Sequence, residues 1–285
     1  MTAVRHAAGG DDEAFLRSLA DPRRARLDGG NVAVVVAHPD DETIGCGAQL
    51  PRLAGSTLVV VTDGAPRDLA DARANGCATA AQYGALRDAE LRAAMSLARI
   101  PEAAILRLGV PDQRAARGLA DLARRLTDLF IDRDIRFALT HAYEGGHPDH
   151  DAVAFAVHAA AILVRRRTRR HLAIVEMPLY YASPEGFVVQ RFTPCPATVD
   201  ATVPLAAREQ ALKRQMFAAH ASQRRTLAAF AVDAERFRLC SGHDFTQPPR
   251  DGTVWYRGDA WGLTGDEWLV LAGAATRELG VEAPS

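Results

Sequence analysis

The sequence predicts an α/β fold: a doubly wound, mostly parallel, Rossmann-like sheet with a C-terminal elaboration. Three observations carry that expectation. Strand-length runs are apolar on both faces, which suits a parallel sheet covered by helices on each side. Amphipathic helical stretches alternate with those runs, and the connections between them are short, as βαβ units require.

Taken in order, residues 11–27 read as a highly charged amphipathic helix, part of an N-terminal extension over residues 1–30. Residues 32–37 (Val-Ala-Val-Val-Val-Ala) form the first β-branched run, and residues 56–61 the second. Residues 104–108 and 137–140 are the third and fourth. Helical patterns fill 43–53, 84–98, 117–132 and 149–166. Beyond 168 the pattern loosens. Residues 172–177 are a further strand candidate, 186–192 and 197–203 are expected to pair nearby, and 204–219 is a strong helix. A tail bearing Trp255, Trp261 and Trp268 is expected to pack back on the body, so that residues 31–285 make one globular domain. Right-handed crossovers then place the strand carboxyl ends along one edge, where such sheets put their ligands.

The bulk properties narrow the partners. The chain has 285 residues, 48% hydrophobic and 24% charged, enough to bury a substantial core, with a formal net charge of −1. That balance supplies no field to draw in nucleic acid or an anionic membrane surface, so a small-molecule partner is expected and nucleic acid is not. Lys213 is the sole lysine among many arginines. Cys46, Cys77, Cys195 and Cys240 are scattered without paired spacing, so neither a disulfide framework nor a cysteine zinc site is signalled. With no membrane-spanning apolar run and no apolar leader, a reducing, cytoplasmic setting is expected. Oligomeric state is not readable from the sequence, and an oligomer is compatible with it.

Two motifs carry the chemistry. Ala37-His38-Pro39-Asp40-Asp41-Glu42 ends the first buried strand, and His147-Pro148-Asp149-His150 lies beyond the fourth. A lone His-Pro-Asp is ordinarily a helix start: proline suits the first helical position and acids suit the positive end of the dipole. Two of them on one sheet edge bring three histidines and three aspartates together, which metal chemistry explains better than capping does. His38 and Asp41 are placed to reach one ion. Adjacent helical residues diverge by about 100°, so only one of Asp40 and Asp41 is expected to ligate, leaving the other for proton transfer. His147 and His150 share a helix face; one ligates and the other faces substrate. Two histidines and a carboxylate leave positions open, as a catalytic rather than a structural zinc requires.

These residues resemble the LmbE-like, or PIG-L, family of metal-dependent N-deacetylases. Support comes from Val61-Thr62-Asp63-Gly64, Arg87-Asp88-Ala89-Glu90, Leu108-Gly109-Val110-Pro111-Asp112, and Lys213 with His220-Ala221-Ser222-Gln223. The resemblance spans about residues 31–225. It implies that His38, Asp41 and His150 bind the metal, that Asp40 is the general base, that His147 faces the oxyanion and that Asp149 holds the His147 ring. It places Arg67 and Asp112 against substrate. The implied activity is removal of an N-acetyl group from an N-acylated amino sugar or conjugate, with Zn2+ as cofactor and Fe2+ also accommodated.

Other residues are assigned from position. His141 and Glu144 precede the second motif and are expected to line the site; Glu42 is expected to orient or support it. His158 reads as a packed core or surface histidine, and His171 and His243 have no visible partner. The arginines of 165–170 suit a helix carboxyl end. Two rival readings stand beside the hydrolase. A non-haem iron enzyme uses the same donor triad, but usually on antiparallel barrels. A sugar-binding homologue without turnover would not need all four of Asp40, Asp41, His147 and His150. A dinucleotide site is disfavoured because the first turn lacks the glycine fingerprint.

Overall fold

The apolar runs assemble into one seven-stranded sheet. A computed structural model describes residues 10–193, 198–240, 242–249, 254–256 and 261–281. The strands are β1 (Val32–Val36), β2 (Thr57–Thr62), β3 (Ile105–Val110), β4 (Phe137–His141), β5 (Ala173–Met177), β6 (Val199–Pro204) and β7 (Ala234–Leu239), in the spatial order β6-β7-β5-β4-β1-β2-β3. The five strands β5-β4-β1-β2-β3 are mutually parallel, while β7 pairs antiparallel with β5 and β6 antiparallel with β7.

Strand alternation divides the core. Val32, Val34 and Val36 of β1 face one apolar layer, and Ala33, Val35 and Ala37 face the other. The first layer is closed by α1 (Gly10–Ala20), α2 (Asp41–Cys46), α3 (Ala80–Leu97) and α6 (Ala207–Ala219). The second is closed by α4 (Leu119–Asp132), α5 (Pro148–Thr168) and α7 (Gly265–Leu279). Burial of β1 on both faces is what its valine run requires.

Helix limits follow local chemistry. Helix α1 ends at Ala20, ahead of Pro22, and Arg52 donates to the carbonyls of Ser18 (2.9 Å) and Leu19 (3.1 Å) at its end. It is therefore shorter than the expected 11–27, and Phe15 stacks on Phe137 at 4.2 Å. The expected helix over 43–53 is divided: α2 stops at Cys46, and a 3-10 turn at Leu50–Arg52 accommodates Pro51. Thr79 caps α3 by accepting from Gln82 N at 3.1 Å. The arginines after Val164 end α5, with Arg169 left-handed at φ 63°; Arg167 pairs with Asp128 of α4 at 2.7 Å.

Past α5 the pairing departs from expectation. Gly186–Val189 forms a hairpin with Tyr180–Ser183, turned by Gly186 at φ 128°. Residue 197 of the expected second partner lies outside the described residues, and β6 pairs instead with β7. The tail folds back through α7, whose Thr264–Glu267 capping box starts the helix. Trp268 is fully buried there, donating from Nε1 to the Pro148 carbonyl at 3.2 Å.

The sole lysine is structural. Lys213 on α6 is fully buried; its Nζ donates to Glu235 Oε1 of β7 (2.7 Å) and to the Ile44 carbonyl of α2 (2.8 Å). Removing one partner strands a buried charge. Lys213→Met is expected to cost about 3–5 kcal/mol in chemical denaturation; a loss within the scatter of surface variants would mean that the pair does not hold α6 in place.

Candidate metal centre and active site

Strands β1 and β4 are neighbours, yet their connections leave toward opposite parts of the sheet: β1 leads to β2 on one side, β4 to β5 on the other. At such a switch point the carboxyl ends diverge and leave room for a ligand. His38 follows β1, and the loop after β4 leads to His147 at the N-cap of α5, with Pro148 as its first residue.

Three donors converge there. His38 Nδ1 and His150 Nε2 are 3.2 Å apart, His38 Nδ1 is 3.3 Å from Asp41 Oδ2, and His150 Nε2 is 3.4 Å from Asp41 Oδ1. A four-coordinate ion with bonds of about 2.0–2.1 Å holds its ligand atoms about 3.3–3.4 Å apart. The pairwise spacings of these buried donors are of that size, with His38 and His150 approaching different oxygens of Asp41. Asp41 is further anchored by accepting the His38 N–H at 2.7 Å. Although burial opposes its charge, His150 and His141 hold its carboxyl well below the usual range.

Behind His38 stand two carboxylates. Its Nε2 is 3.1 Å from Asp112 Oδ1 and 3.4 Å from Asp149 Oδ2. A proton on Nε2 donated to Asp112 leaves Nδ1 as the ligand lone pair, the usual way a carboxylate fixes a metal-binding imidazole. Burial disfavours the charged ring, but Asp112, Asp149 and Asp41 together raise the His38 pKa well above its ordinary value. Asp112, expected against substrate, stands behind His38.

The role expected of Asp149 also differs. Its carboxylate accepts the Gln113 and Ala115 N–H groups at 2.6 and 3.0 Å, bracing the loop that carries Asp112. What reaches the His147 ring is the Asp149 backbone N–H, donating to Nδ1 at 3.1 Å. The second helical position directs the Asp149 side chain away from the cap, toward β3's loop. The Nδ1 acceptor role puts the proton of a neutral His147 on Nε2. Burial, with His38 and His150 adding to it, lowers the His147 pKa well below normal. The His147 ring meets His38 at 4.5 Å and the half-buried Trp261 at 4.7 Å, both edge-on.

Asp40 occupies a strained turn at φ 135°, ψ −25°. Its N–H donates to Glu42 Oε2 at 3.0 Å, and Arg87 of α3 donates to Asp40 Oδ2 at 3.0 Å and to the Pro39 and Gly64 carbonyls at 2.6 and 2.7 Å. Burial pushes the Asp40 carboxyl up to about 6, against the pull of Arg87. Gly64, at φ 59°, lies so close to Arg87 that a Cβ would come 2.7 Å from Nη1. Glu42 supports this turn, also accepting from the Thr43 hydroxyl at 2.6 Å and lying 3.5 Å from His220. The rest of the carboxyl-side signature braces α3: Ser222 binds Glu90 and Gln223 binds Tyr83.

The other expected site residues take different positions around the donors. Arg67 sits on the rim, 40% exposed in its side chain, pairing with Asp63 at 2.6 Å. His141 lies beneath the donors: it stacks on His150 at 4.2 Å, its Nε2 is 3.4 Å from Asp41, and that nitrogen accepts the Ala37 N–H at 2.9 Å. Burial and the neighbouring His150 push its pKa well below normal, so it serves as a neutral support. Glu144 is buried behind the loop and accepts the Leu179 N–H at 3.0 Å. Sequence reasoning did not single out Tyr180, edge-on to His150 at 5.2 Å, or the ladder that continues through the exposed Phe187 to the exposed Trp255, each ring step 5.2 Å. The Trp-rich tail and the 180–200 loop were the available signals for them.

A family model described as PIG-L, GlcNAc-PI de-N-acetylase, matches residues 33–161. Residues 33–161 thus match the PIG-L family model. Its span includes both His-Pro-Asp motifs, four of the five parallel strands (β1 to β4) and most of α5. The fold is similar to the zinc-inhibited form of teicoplanin deacetylase Orf2 (TM-score 0.53, 14% identity, covering 75% of this chain and 99% of that one). It is also similar to the A40926 pseudoaglycone deacetylase Dbv21 (0.55, 15%, 74% and 97%). A third similar structure is the N,N'-diacetylchitobiose deacetylase from Pyrococcus horikoshii (0.50, 16%, 87% and 99%). At these identities the likeness is one of fold. No curated protein sequence matches the chain.

The Asp112 carboxylate behind His38 yields a test of this geometry. Asp112→Asn is expected to weaken divalent-metal affinity by about 10–100-fold, measured by competition with a chromogenic chelator. Wild-type affinity in that variant would show that Asp112 does not orient His38.

Proposed function

We propose that the protein is a zinc-dependent N-deacetylase acting on a small N-acetylated amino sugar or amino-sugar conjugate. The observation that carries this reading is the 3.2–3.4 Å convergence of His38, Asp41 and His150 at the sheet's switch point. Two imidazoles and a carboxylate leave coordination positions for water and a substrate oxygen. Zinc suits this donor set, and iron(II) is accepted by it as well. The family description and the deacetylases of similar fold support an amide of an amino sugar as substrate.

When bound, the ion supplies Lewis acidity toward the amide carbonyl and lowers the pKa of a water. Asp40 takes the proton of the attacking water as the new C–O bond forms; a carboxyl brought toward neutrality suits a base that must later act as an acid. Arg87 and the strained turn hold Asp40 in register for that transfer. His147, neutral with its proton on Nε2, donates to the developing oxyanion. A preorganised donor of this kind is worth roughly 3 kcal/mol. As the C–N bond breaks, Asp40 returns its proton to the departing amine, and acetate and a free amino group are released. Tyr180 and Trp261 shield the His150 and His147 rings.

Asp40→Asn is expected to lower kcat by about 10²–10⁴-fold while metal content stays at the wild-type level, read as acetate release from a panel of N-acetylglucosamine conjugates beside elemental analysis. Undiminished turnover would remove Asp40 from the role of base. His150→Ala is expected to lose metal and activity together; a variant that kept full metal occupancy would contradict the ligand assignment.

A further inference from the structure

Helix α5 carries a second histidine inward, two turns beyond His150. His158 is 6% exposed, and among the described residues its Nε2 makes no hydrogen bond. That nitrogen is turned toward Glu176 of β5, 3.4 Å from Oε1. A buried ring nitrogen without a partner costs stability, and native cores seldom leave one so. Here it faces a group of donors rather than an apolar wall.

His243 Nε2 lies 2.5 Å from the same Glu176 oxygen, and Cys240 Sγ lies 3.3 Å from His243 Nε2. One ligand atom from each of His158, Glu176, Cys240 and His243 falls within 4.8 Å of every other. The four come from α5, β5 and the segment that leaves β7. They meet because β7 runs antiparallel to β5, pairing Arg238 with Glu176 and carrying Cys240 to the Ile174 carbonyl at 3.2 Å. Arg238 occupies the other Glu176 oxygen, donating from Nε at 3.0 Å and Nη2 at 2.7 Å, so Oε1 is left to face the group. Phe245 and Tyr143 enclose it: Phe245 lies 5.5 Å from both His158 and His243, and Tyr143 lies 5.7 Å from His243.

We infer that His158, Glu176, Cys240 and His243 hold a second zinc ion, distinct from any ion at His38, Asp41 and His150. Eight residues of helix separate His150 from His158, about 12 Å at 1.5 Å per residue. Two imidazoles, a thiolate and a carboxylate are a zinc donor set, and four protein ligands close the tetrahedron, as in structural sites. Binding requires His243 Nε2 and Glu176 Oε1 to part from 2.5 Å to about 3.3 Å, a movement His243 can make because it lies outside regular structure. The ion ties the segment after β7 to α5 and β5. That segment also accepts the Tyr143 hydroxyl at the Gln247 carbonyl, 2.9 Å, so the ion steadies the loop that leads into His147.

The thiolate makes the two sites separable, since the first contains no sulfur. Full-length apoprotein reconstituted with zinc is expected to hold two equivalents, falling to one in Cys240→Ser, in His243→Ala and in His150→Ala. Reconstituted with cobalt(II), the wild type and His150→Ala are expected to show thiolate-to-cobalt charge-transfer absorption in the near ultraviolet, and Cys240→Ser is expected to lack it. A single zinc equivalent lost only in His150→Ala, with no thiolate band in the wild type, would overturn the inference. A single equivalent lost only in Cys240→Ser and His243→Ala would uphold it while removing the ion from the first site.

Discussion

Four carboxylates, those of Asp40, Asp41, Asp112 and Asp149, are buried within a few ångströms of the sheet's switch point. Taking such charges out of water costs several kcal/mol each unless opposite charge or donors meet them. The surrounding structure is arranged to supply those partners. Arg87 reaches from α3 to Asp40, His38 stands among Asp41, Asp112 and Asp149, and backbone N–H groups of the 113–115 loop meet Asp149. A divalent cation among His38, Asp41 and His150 would complete the neutralisation.

Much of this was legible in local sequence. The valines of 32–36 announce a strand buried on both faces, and each His-Pro-Asp announces a helix start at a strand's carboxyl end. Nearest-neighbour chemistry was enough to place His38, Asp41, His147 and His150 on one sheet edge. Which carboxylate stands behind which imidazole was not legible, because that depends on contacts such as Asp112 with His38, 74 residues apart. Asp149 shows the difficulty well: its neighbour in sequence is His147, yet its carboxylate faces His38 and the 113–115 loop.

Strand β7 was missed for a related reason. Ala-Glu-Arg-Phe-Arg-Leu reads as polar and exposed, but Glu235 and Arg238 are buried because Lys213 and Glu176 neutralise them. Hydropathy cannot register a strand whose charges are paired across the sheet. The same blindness hid the cluster around Glu176, whose four donors are separated by up to 85 positions and carry no spacing signature. Helix α5 links the two groups physically, since His150 and His158 lie on one continuous helix capped by His147.

The backbone at position 40 has a consequence for what can replace the aspartate there. A residue with a Cβ at φ 135° is held against its own torsional preference, whereas glycine adopts that region freely. Glycine there would relax the turn, yet it would also strand the buried Arg87 guanidinium and discard the carboxylate. The ion pair thus holds in place a torsion the aspartate would not adopt unaided.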